Sequence, residues 1–176
     1  MRNFQLKPAT RETVPLIVGI VGASGGGKSF SALRLATGIQ RVTGGKIAMI
    51  DTEGRRGLFY ADDFKFDHLD FKAPFDPLSY LEAIESCVAG GAKTIVVDGM
   101  SFEHDGQGGV LEMHAAEQDR LAKAWRTTLD KVNMSAWQKP KADRRRLLNA
   151  MIQMGVNFVL CFLAKEKMDL KGEKPK

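Results

Sequence analysis

The chain has 176 residues, 44% apolar and 27% charged, with a formal net charge of +5 and a pI near 9.3. That length suits a single domain with a full core, and the apolar share excludes a disordered chain. No apolar run approaches the roughly 20 residues that cross a bilayer, and residues 1–15 lack the apolar stretch of a secretory leader, so neither a membrane partner nor export is expected.

Residues 1–13 read as a polar lead-in. The apolar run from Leu16 to Val21 predicts a buried strand, and residues 28–41 a helix with Leu33, Leu35, Ala36 and Ile39 on its buried side. After the turn Gly44-Gly45, KIAMID (46–51) predicts a second buried strand. Residues 52–75 are loop-rich, with FDHLDF (66–71) as a short strand. Asp76 and Pro77 open a helix as cap and first residue, Leu81, Ile84 and Val88 line it, and Gly90-Gly91 end it. TIVVD (94–98) is a third buried strand, followed by the glycine-rich loop GMSFEHDGQGG. One or two helices fill 110–153, interrupted near Gln138-Lys139-Pro140, before a last strand at 156–163 and a lysine-rich end, KEKMDLKGEKPK. Continuously apolar strands alternating with helices predict one three-layer α/β domain with a mainly parallel sheet. Cys87 and Cys161 lie far apart in apolar surroundings, as reduced core residues of a cytoplasmic protein would.

Residues 22–29 fit G-x-x-x-x-G-K-[ST], in the required place between a strand and a helix. Glycines let successive N–H groups curl around an anion, and the following helix adds its positive end. The pattern predicts a triphosphate site of Gly22, Ala23, Ser24, Gly25, Gly26, Gly27, Lys28, Ser29 and Phe30, with Lys28 reaching the outer phosphates. Ser29 and the strand-end carboxylate Asp98 are the expected magnesium ligands, so ATP and Mg2+ are the expected substrate and metal. Many such ATPases carry a glutamate directly after that aspartate, but here the next residue is Gly99. Glu53, at the end of the strand MIDTEG, is the candidate to orient or deprotonate the attacking water.

The combination of 22–29, IDTE, IVVDGMS and NFVLCFL resembles the RecA-like ATPases over nearly the whole chain. The phrases DTEGRRG and VDGMSFEHDGQGG, with the run from Trp137 to Lys141, are most similar to small bacteriophage members associated with single-strand annealing and recombination. The resemblance implies a RecA-like sheet, ATP hydrolysis with Glu53 as base, a homo-oligomer with its site between subunits, single-stranded DNA as partner, possible recombination partner proteins and residence in a host cytoplasm. It also implies that the segment after the last strand contacts DNA. One departure concerns the polar sensor, usually glutamine, that ends the last strand in that family. Leu163-Ala164 stand there instead, leaving Lys165 as the replacement candidate.

Two other readings compete. Asp51 to Gly54 also satisfies the D-x-x-G of a nucleotide switch, but FLAKEKMD lacks the asparagine of a guanine-reading N-K-x-D. A small-molecule kinase would draw on Arg55, Arg56 and the run Arg144, Arg145, Arg146. Between Lys123 and Arg146 basic residues far outnumber acids and enclose Trp125 and Trp137, which suits either a strand-binding surface or a solvated helix pair. Glu103 is a secondary catalytic candidate, and Arg55 and Arg56 are either trans-acting fingers or solvated loop residues. His68, His104 and His114 have no metal-ligand spacing and read as ordinary surface groups.

Overall fold

The computed structural model describes residues 5–164. Five strands form one sheet in the order β1-β5-β4-β2-β3, and every neighbouring pair is parallel. They are β1 (Ile17–Gly22), β2 (Lys46–Asp51), β3 (Asp67–Asp70), β4 (Ala92–Asp98) and β5 (Asn157–Leu163). The helices are α1 (Lys28–Thr43), α2 (Pro77–Ala89), the single turn α3 (Phe102–Asp105), α4 (Val110–Trp125), α5 (Leu129–Ala136) and α6 (Gln138–Gln153).

Alternation along the central strands sorts their side chains to two faces. Ile47, Met49, Val96, Val159 and Cys161 meet Ala32, Leu33, Ala36 and Ile39 of α1. Ala48, Ile50, Ile95, Val97, Phe158 and Leu160 meet Leu81 and Ile84 of α2 and Leu147 and Met151 of α6. Both faces are therefore covered, as a parallel sheet requires. The pair α4 and α5 closes a satellite cluster of Leu121, Ala122, Val132 and Ala136.

Several details differ from the sequence expectations. β1 is an edge strand flanked only by β5, with Ile17 48% and Val21 68% exposed. Leu35 is exposed, since it falls off the 32-33-36-39 stripe that α1 buries. Residues 110–153 hold three helices. The first break follows Arg126, which ends α4 at φ 50, and the second sits at Trp137. Pro140 lies in the first turn of α6, where its missing N–H has no helical acceptor to lose. The loop after β2 contains a 3-10 helix (Arg56–Tyr60), and the loop after β4 contains α3. Asp76 caps α2 as expected, accepting from the N–H groups of Leu78 and Ser79 at 3.0 and 3.1 Å.

Candidate active site

Strand register assembles the site at the carboxyl end of the sheet. Asp51 stands opposite Asp98, and Cys161 opposite Ile20 of the edge strand that runs into the glycine loop. Gly25 and Gly27 both have φ of +73°, and a β-carbon on either would meet nothing within 4 Å. Glycine is needed at these two positions for backbone conformation, not for space. Gly26 donates its N–H to Ala23 O at 3.2 Å, closing the turn. No side chain caps the N-terminus of α1 and no acid occupies its first turn, so the positive helix end faces the loop uncompensated. Lys28 folds back over the loop, donating from Nζ to Ala23 O at 2.8 Å.

Ser29 Oγ donates to Asp98 Oδ2 at 2.7 Å and so joins α1 to β4 across the site. Asp98 is only 3% exposed, and burial raises its pKa. Glu53 and Asp51 push in the same direction, while hydrogen bonds from Ser29 and Cys161 oppose it. Cys161 itself is pushed up to about 12, by burial first and then by the charge of Asp98, so it remains a thiol. Among the described residues no group of three or more His, Cys, Asp and Glu side chains is placed to hold a metal. The pair Ser29 and Asp98 suits magnesium, an ion commonly held by one or two protein oxygens together with substrate phosphates and water.

Glu53 lies near Asp98, close enough to add to that shift, and its Oε2 sits 3.2 Å from Nη1 of Arg56. The chain has a physical reason to place no glutamate directly after Asp98. Gly99 is at φ +90°, and a β-carbon there would lie 2.1 Å from Thr52 Oγ1. Thr52 cannot easily move, because its hydroxyl donates to Asp98 O at 2.7 Å. The two strand ends are thus locked together, and the exposed-side carboxylate near Asp98, that of Glu53 with its Arg56 partner, falls on the β2 side.

The remaining sequence candidates have definite places. Phe30 packs edge-on against Tyr60 and Phe64, at 6.2 and 5.2 Å between ring centres. Glu103 is buried, and Arg144 forks over it, with Nε 2.9 and 3.1 Å from its two oxygens and Nη2 bonded to Oε2. Trp137 is half-buried with His114 stacked on it at 4.0 Å, while Trp125 is exposed. Lys165 and the lysine-rich end lie outside the described residues.

Sequence reasoning passed over His68, which is no ordinary surface group. It is largely buried, and its Nε2 lies 3.0 Å from Asp51 Oδ2. The one available signal was an imidazole inside the short predicted strand FDHLDF. Cys87 and Cys161 are both free and buried, as expected. No helix among the described residues is long and apolar enough to cross a membrane. A scan against models of protein families finds no match, and a search of curated proteins finds no significant one.

Proposed function

We propose that the chain is a RecA-like, magnesium-dependent ATPase that works on single-stranded DNA in recombination, as a homo-oligomer. The observation that carries the reading is the 2.7 Å bond between Ser29 and Asp98, because it unites a glycine-loop motif with a strand-end carboxylate 69 residues away. The order of the sheet adds support, since β5 lies between β1 and β4 and brings a third strand end to the same place.

In this reading the loop amides and the positive end of α1 hold the triphosphate of ATP, and Lys28 supplies a mobile cation beside them. Ser29 and Asp98 would hold magnesium, which supplies charge neutralisation on the phosphate oxygens. Glu53 accepts a hydrogen bond from water and aligns it for attack on the terminal phosphate. The DNA partner is supported by the resemblance and by the basic stretch that runs to Arg146.

The test is ATP hydrolysis by the wild type, Lys28→Ala and Glu53→Gln, with and without single-stranded DNA. We expect DNA to stimulate the wild type. Lys28→Ala should lose tight ATP binding, and Glu53→Gln should bind ATP but turn over at least ~100-fold more slowly. Normal turnover by Glu53→Gln would displace Glu53 as the base. Turnover only with a small-molecule acceptor would replace the reading with a kinase.

A further inference from the structure

We infer that Asp51 and His68 are positioning residues for Glu53, holding in place the loop that carries it. The inference rests on the reading of Glu53 as the group that aligns water.

Asp51 is 0% exposed, so its carboxylate has to find its hydrogen-bond donors within the protein. Three converge on it. The N–H of Glu53 donates to Oδ1 at 2.8 Å, and the N–H of Gly57 donates to Oδ2 at 2.7 Å. Nε2 of His68 lies 3.0 Å from Oδ2. A carboxylate that accepts from all three leaves His68 protonated at Nε2.

Two of these donors belong to the loop itself, so residues 53–57 close over Asp51. The closure is tight. A β-carbon on Gly57 would lie 2.8 Å from the tip of Met49 and 3.0 Å from Asp51 Oδ2. The third donor comes from elsewhere. His68 belongs to the edge strand β3, in register with Met49, two register pairs behind Asp51, and the spacing of two puts it on the same face of the sheet. A loop that only had to turn would be satisfied by its own amides and by water. Here a buried acid is held by a side chain from the neighbouring strand, which fixes the plane of the carboxylate and therefore the direction of both loop N–H groups. Glu53 is the first residue so fixed. Lys28, Ser29 and Asp98 sit on other elements, and their side chains share no hydrogen bond with Asp51 or His68.

The test compares His68→Leu, which has no donor, His68→Asn, which is polar but too short, and His68→Gln, whose terminal amide can reach Oδ2. For the first two we expect kcat to fall about 10- to 100-fold, with ATP affinity within about 3-fold of wild type. His68→Gln should recover most of the loss. Amide exchange at Glu53 and Gly57 should quicken in His68→Leu, while β4 and α1 stay protected. Wild-type kcat in both His68→Leu and His68→Asn overturns the inference, as does a parallel loss of ATP affinity or a glutamine variant as slow as leucine. If Glu53→Gln turns over normally, the assignment of the base fails separately. Loop exchange then decides the positional claim, with unchanged exchange in His68→Leu overturning it.

Discussion

In the proposed function Asp98 meets two conflicting demands. To hold a cation it must be ionised, yet it is 3% exposed and faces Glu53 and Asp51, and these conditions raise its pKa from the ordinary 3.8. Between that value and the raised one, the folded protein keeps a proton that the unfolded chain has lost. Stability therefore falls as pH rises through this window and stays lower above it. Asp98→Asn removes the charge while keeping an oxygen to accept from Ser29. We expect it to melt higher than the wild type at neutral pH, with the difference shrinking as pH drops through the window from the raised value to the ordinary 3.8, and to lose magnesium-dependent turnover. Thermal melts across pH, run beside an ATPase assay, check both. A lower melting temperature at neutral pH would mean that the Ser29 and Cys161 bonds outweigh the burial of the charge.

Among the elements, β1 and α1 flank the same loop but contribute unequally to stability. Val21 is 68% exposed on the edge strand, so Val21→Ala should change stability by less than about 0.5 kcal/mol. Leu33 is 0% exposed between α1 and the sheet, and Leu33→Ala should lose about 2–5 kcal/mol by urea denaturation. The contrast bears on what could be read beforehand. Apolar runs report hydrophobicity, which is local, whereas place in a sheet depends on pairings far apart in the chain. PLIVGIV and TIVVD look alike, yet only the second has a strand on each side. The glycine loop was legible because its chemistry is contiguous. The break after Arg126 was not, because a non-glycine residue in the left-handed region ends α4 without the usual glycine signal. Asp51 with His68, and Glu103 with Arg144, lie 17 and 41 residues apart, and no spacing rule joins them.

For the whole molecule, the Glu103–Arg144 pair links the turn after β4 to the outer helix layer. Glu103 is 4% exposed, and with Arg144 gone its carboxylate would stay buried beside Tyr80, whose pKa burial and the Glu103 charge already raise. Arg144 keeps some exposure to solvent, so Arg144→Met should destabilise by about 1–3 kcal/mol, less than breaking a fully buried pair does. The double variant Glu103→Gln with Arg144→Met should recover part of that stability, because no unpaired charge remains. Arg145 and Arg146 stand exposed beside it. Replacing either with alanine should leave stability within about 0.5 kcal/mol. If α6 tracks a DNA backbone, each replacement should also flatten the salt dependence of single-strand binding by roughly 0.7 for every phosphate no longer neutralised. Arg144→Met should then act on stability and leave that slope nearly unchanged, since its guanidinium is already committed to Glu103. Urea titrations and salt-dependent DNA binding on the same variants separate the two roles. A slope change from Arg144→Met as large as that from its neighbours would mean that the arginine leaves Glu103 when DNA binds.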